Sequence, residues 1–221
     1  MDAASNILKL VRQQCRANGV RFTITSKRPE NFGSFCSSEK ELLVSKIIRK
    51  HPNTKETRAA KKEEIAIVAL HEMVHMWQWA RKDPDDTAEV AGDYAYSILA
   101  DYISGEQWAS KSVLKQCLPI VTRVELEAEF TSIRIAKSMG LKMPSYTKWT
   151  KECKAYLYAW HVAVETGMWP SQKTRAKWRR HITADLNWDL TKSLLSKLCS
   201  ITIENKELAA TIWDGKHCLK K

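Results

Sequence analysis

Two histidines and a glutamate interrupt the most apolar stretch of the chain, "IAIVALHEMVHMWQWA" at residues 65–80. His71 and His75 are four residues apart, so on a helix they project from one face about a turn from each other. Two imidazoles so placed can grip a Zn²⁺ ion at about 2.0–2.1 Å. Glu72, one residue further, is rotated about 100° around the axis. That is too far round to make it a natural third ligand beside the two histidines, yet it can reach a water that the ion polarises. This is the logic of His-Glu-x-x-His: the ion lowers the pKa of the water and the glutamate takes its proton. Without a metal, the same residues would be two satisfied core histidines and a surface glutamate.

The element that must carry them is a long helix from about Lys61 to Lys82. Ile65, Val68, Ala69 and Met73 form one of its stripes, and Ile67, Leu70, Val74 and Trp77 another. A helix apolar on nearly every side belongs in a core, where polar groups need partners. His71, Glu72 and His75 therefore require something supplied from elsewhere in the chain.

Around this helix, periodicity and turn chemistry outline the remaining elements. Ile7, Leu8, Val11 and Cys15 share a helical face that Asn18-Gly19 closes. "VRFTITSK" alternates like a half-buried strand, and "RPENFGS" is turn chemistry. "FCSSEKELLVSKII" predicts one or two further strands with a turn near Ser37-Ser38, so that residues 20–48 form a small antiparallel meander. "RKHPNTKETRAA" is a polar, basic connector. Asp83-Pro84-Asp85-Asp86 ends the long helix and caps the next, "AEVAGDYAYSILADYI", which stops near Gly105. "GEQWASKSVLKQCLP" is a short helix or loop. "IVTRVELEAEFTSIRIAKSMG" is a helix closed by Gly140, and "TKWTKECKAYLYAWHVAVETG" one ending at Gly167. "SQKTRAKWRRHITADLNWDLTKSLLSKLCS" supplies one or two more. The fold class is α+β, mostly helical, with a small N-terminal antiparallel or mixed sheet.

The 221 residues suffice for one domain, or one with an appendage. The formal net charge of +11 is uneven: residues 1–60 carry +7, residues 61–150 carry −2, and residues 151–221 carry +6. Such a pattern suits a neutral-to-acidic site framed by basic surfaces. Six cysteines without a Cys-x-x-Cys pair argue against a zinc ribbon and a disulfide scaffold. They fit a reducing, cytoplasmic compartment, as does the lack of a visible secretion signal, and no apolar run is long enough to cross a bilayer. Most of the nine tryptophans are expected in the core. Lys173, Arg175, Lys177, Arg179 and Arg180 crowd around Trp178. Basic groups with an aromatic between them can neutralise phosphates and stack a base, although a solvated charged helix has the same composition.

"HEMVH" on a helix preceded by a small sheet resembles the zincin metallopeptidases. The metzincin branch needs a histidine ten residues after His71, where this chain has Arg81. "RVELEAEFTSIRIA" resembles the glutamate-bearing helix of compact gluzincins, including the IrrE/ImmA-like proteins. The resemblance implies a zinc peptidase with Glu125 as third ligand and Glu129 orienting a ligand histidine, while Ala128 stays small so that the two helices can approach. Glu127, Glu89 and Asp93 are competing carboxylates. The resemblance further implies a His or Tyr that steadies an oxyanion, with His161 and Tyr158 as candidates and Tyr156 behind them. It also implies a sheet edge, the strand around Leu42-Leu43-Val44, on which a substrate peptide pairs. Residues 1–145 would be the zincin-like core, and residues 146–221 a basic, tryptophan-rich extension packed on it. The basic segment has an analogue in Spartan-like proteases, which act on DNA-bound protein. The expected partner is a protein or peptide substrate, with nucleic acid as a further possibility at the basic segment and no membrane. The competing function is a zincin-fold factor that binds nucleic acid or protein through its basic flanks without catalysis.

Overall fold

The structure, a computed structural model, describes residues 2–26, 32–49, 57–81, 87–106, 109–142 and 145–204. The expected stop and cap at Asp83–Asp86 lie outside these residues. The chain forms two compact units, Met1–Glu89 with Leu126–Pro144, and Val90–Glu125 with Ser145–Lys221. That partition differs from a boundary at residue 145.

The first unit begins with helix α1 (Ala3–Ala17), whose N-cap Asp2 accepts the Ser5 amide at 2.8 Å. The expected face is its buried one, with Ile7, Val11 and Cys15 shut from solvent and Leu8 half-buried. Strands β1 (Arg21–Thr25), β2 (Gly33–Cys36) and β3 (Glu41–Ser45) follow. β2 and β3 form the expected hairpin, pairing Gly33 with Val44 and Cys36 with Glu41. The antiparallel meander is corrected: β1 pairs parallel to β3, in the order β1-β3-β2. Alternation marks a strand but not its partner, and the most apolar strand takes the centre, with Leu42 and Val44 fully buried. Burying each is worth about 1.5–3 kcal/mol. Glu41 fixes the parallel register by accepting from Arg21 at 3.0 Å and from Thr23 at 2.8 Å. Leu42-Leu43-Val44 is consequently not a sheet edge. Both its sides are paired, and the edges of this three-stranded sheet are β1 and β2. The basic connector is also corrected in part, because β4 (Ile47–Arg49) and β5 (Thr57–Ala59) form a two-stranded antiparallel sheet.

Helix α2 (Lys62–Ala80) packs on α1, β2 and β3. Glu64 in its first turn accepts the Lys61 amide at 2.8 Å and both arms of Arg58 at 2.6 and 2.7 Å. Ala66, Ala69, Leu70, Met73, Val74 and Met76 are fully buried, as an all-round apolar helix requires. Helix α3 (Thr87–Ser104) belongs mostly to the second unit. The expected break at Pro119 is absent, because α4 runs unbroken from Lys111 to Ser138. Proline costs a helix about 3 kcal/mol through its missing N–H and the clash with the preceding turn. Here Leu114, Leu118 and Val121 bury against Leu99, Trp160 and Val164, which offsets that cost.

Helix α5 (Tyr146–Thr166) is capped by Ser145 and closed by Gly167 at φ 69°. Helices α6 (Gln172–Trp178) and α7 (Lys192–Glu204) pack on it around Ala155, Tyr158, Trp178 and Leu198. Among the described residues, no helix is long and apolar enough to cross a membrane.

Candidate metal centre

Helix α2 presents His71 and His75 on one face, with their rings edge to face at 4.7 Å. Their Nε2 atoms are 3.0 Å apart. What lies behind the rings decides what these atoms are. The Gln78 amide donates from Nε2 to Glu127 Oε2 at 3.1 Å, and a carboxylate there only accepts. This fixes the amide so that its Oε1 faces His75 Nδ1 at 2.9 Å. His75 Nδ1 therefore donates to Gln78, and Nε2 is the nitrogen turned toward His71. Glu127 is held in turn by Arg81 at 2.6 Å. Behind His71, Glu129 Oε1 lies 3.7 Å from Nδ1. That is too long for the expected hydrogen bond, but it places a negative charge where it favours a proton on Nδ1. Burial, and then His75, holds the pKa of His71 well below the ordinary histidine value, so its ring is neutral. The 3.0 Å approach of the two Nε2 atoms is satisfied either by a proton on one of them or by a cation bound between them.

The third group is Glu125 on α4, 6 % exposed. One ligand atom from each of His71, His75 and Glu125 lies within 4.8 Å of the others. Ligands about 2.0–2.1 Å from a tetrahedral ion are roughly 3.4 Å apart, a separation that falls within the span of these three groups. Burial pushes Glu125 up to about 7. A divalent cation would reverse that shift by supplying the missing countercharge. Two imidazoles and a carboxylate suit a three-ligand site with an open fourth position, so this buried group can hold a metal ion.

Glu72 is buried and stands against the start of β2. A Cβ on Gly33 would lie 2.8 Å from Glu72 Oε1 and clash with Val68. Glycine is thus required where β2 meets α2, a close approach that the turn-like sequence around it did not disclose. The competing ligands fare unequally. Glu127 is committed to Gln78 and Arg81, and the side chains of Glu89 and Asp93 lie outside what the structure describes. Ala128 is fully buried.

His161 contacts Thr122 Oγ1 at 2.9 Å through Nε2, and burial brings its pKa down to about 4. Thr122 is three residues before Glu125 on α4, so His161 reaches the turn preceding that carboxylate. The Tyr158 hydroxyl instead donates to Asp189, and burial and then Asp189 push its pKa above the ordinary tyrosine value. Tyr156 packs edge to face on Trp160 and Trp169.

The basic segment needs a correction. Trp178 is fully buried in the core of the second unit and cannot stack a base. Arg175 and Arg179 are half-buried, and Arg179 pairs with Glu152 at 2.7 Å, while Lys173, Lys177 and Arg180 are exposed. Sequence reasoning missed Gln78 and Gly33. The signal for Gln78 was its place three residues after His75, on the same face. For Gly33 there was none, because its partner is a different element. Comparisons of the chain with protein-family models, with curated proteins and with solved structures find no match.

Proposed function

We propose that the protein is a zinc-dependent peptidase of the gluzincin type, with zinc held by His71, His75 and Glu125. The observation that supports this most is that one ligand atom each from His71, His75 and the buried Glu125 carboxylate lie within 4.8 Å of one another, with an oxygen near Nδ1 of each histidine. A bound zinc ion supplies Lewis acidity, polarising a carbonyl and acidifying a water. The histidines and Glu125 hold the ion, leaving one position open. Glu72 takes the proton of the attacking water at its carboxylate and passes it to the leaving amine. Gly33 lets β2 approach closely enough to hold that carboxylate. A purely structural metal site has no use for Glu72, so its presence beside His71 favours catalysis over a binding role. The test compares wild type with Glu72→Gln for bound zinc and for cleaved peptides across a proteome-derived library. Cleavage present in wild type and absent in the variant, at equal zinc content, supports the reading. Equal zinc with no cleavage by wild type contradicts it.

A further inference from the structure

The second unit holds two clusters of charge that are buried or half-buried. Around Lys154, which is fully buried, the charges are partnered: its ammonium donates to Thr183 at 2.9 Å, Asp185 at 3.0 Å and Asp189 at 3.1 Å. At the second cluster they are only partly so. Glu152 and Ala155 of α5, with Arg175 and Arg179 at α6 and its C-cap, line a pocket of about 110 Å³. Arg179 spends one arm on Glu152 at 2.7 Å. The Arg175 guanidinium lies 5.9 Å over the Trp169 ring. The Nε of each arginine is shut from water and meets no acceptor among the described residues.

Two guanidiniums one turn apart thus line a pocket whose one carboxylate, Glu152, is bonded to Arg179. Arginine cannot shed its proton to escape burial. A buried charged donor without an acceptor carries the full desolvation penalty. Burial, reinforced by Arg179, already disfavours the charge on Arg175. What the pocket lacks is negative charge with acceptors facing several directions. A planar carboxylate offers two oxygens in one plane, whereas a tetrahedral oxyanion can meet donors arriving from two separate side chains. Guanidinium forks match such groups bidentately. The pocket is far smaller than the roughly 300–1,000 Å³ of drug-sized sites, so it suits a single small group.

We propose that the pocket formed by Arg175, Arg179 and Glu152 binds one phosphate group. Arg175 is the principal donor, and Glu152 competes with the ligand for Arg179.

The test titrates inorganic phosphate into the full chain at constant ionic strength held with chloride, followed by calorimetry. The expected result is one saturable site per chain. Arg175→Lys keeps the charge but loses the fork, and weakens binding at least tenfold; Arg175→Leu abolishes it. Glu152→Gln frees Arg179 and tightens binding several-fold, a gain that misfolding cannot mimic. Competition by phenyl phosphate would identify a phosphomonoester as the ligand class, and its failure to compete would identify free phosphate. Absence of saturable binding by wild type overturns the assignment. So does an affinity that is unchanged by Arg175→Lys or lowered by Glu152→Gln, and so does equal binding of acetate.

Discussion

At the scale of single residues, the proposed site depends on tautomers as well as on the identity of its ligands. Gln78 turns His75 Nε2 toward the site by accepting from Nδ1–H, and Gln78 is itself oriented by donating its amide to Glu127. Gln78→Ala is therefore expected to weaken metal binding by about 10–100-fold while leaving all three ligands in place. Competition with a calibrated chelator measures this, and an unchanged affinity would show that His75 needs no such partner. Gly33→Ala is a test of a different kind. Its new methyl group would force Val68 and the Glu72 carboxylate to move. Turnover is expected to fall with metal content unchanged, and a variant as active as wild type would contradict the positioning role. The histidine pair and Glu72 were legible because a motif of spacing four encodes its own geometry. Gln78 was half-legible, since it shares the helix. Gly33 was not, because nothing near it in sequence names Glu72 as its neighbour.

At the scale of elements, periodicity identified helices well because each reports its own burial. It failed where partners decide. Pro119 read as a terminus, but Leu114, Leu118 and Val121 on either side bury in one cluster and hold α4 together. β1 and β3 each alternate clearly, yet their parallel pairing depends on a chain path that alternation does not record. Trp178 read as a stacking aromatic among cations, whereas α6 turns it into the core and leaves Lys173 and Lys177 outside. The Lys154 network makes an element-scale prediction. Asp185 is held down to about 2, chiefly by the Lys154 hydrogen bond. Thr183, Tyr158 and Lys154 hold Asp189 low against its burial. Both folded values lie below the unfolded one. Their contribution is thus present above about pH 4 and is lost as pH falls toward about 2. Acid unfolding followed by circular dichroism is expected to shift to higher pH in Asp185→Asn. The double change Asp185→Asn, Asp189→Asn should destabilise more than Lys154→Met. The first leaves a buried ammonium uncompensated, at about 3–5 kcal/mol, while the second frees carboxylates that water can reach. The opposite order in chemical denaturation would refute this account of the network.

At the scale of the whole molecule, a ligand that binds only the folded chain stabilises it by mass action. At a metal concentration 100 times Kd this amounts to about 2.7 kcal/mol. The melting temperature is expected to rise with added zinc and fall with chelator, and neither change should occur in His71→Ala. Charge is distributed on the same scale. The centre of the chain is −2 between flanks of +7 and +6, so His71, His75 and Glu125 lie in its least basic third. If the basic flanks rather than the metal carried the function, reversing the exposed Lys173, Lys177 and Arg180 would abolish activity in cells and Glu72→Gln would not. The account expects the reverse.

The most direct test of the metal centre is metal analysis of the purified full-length chain, combined with X-ray absorption at the zinc edge. The account predicts one zinc per chain, bound by two imidazole nitrogens and a carboxylate oxygen at about 2.0–2.1 Å, and lost in Glu125→Ala. A wild-type chain holding no more zinc than the His71→Ala, His75→Ala double variant would contradict it.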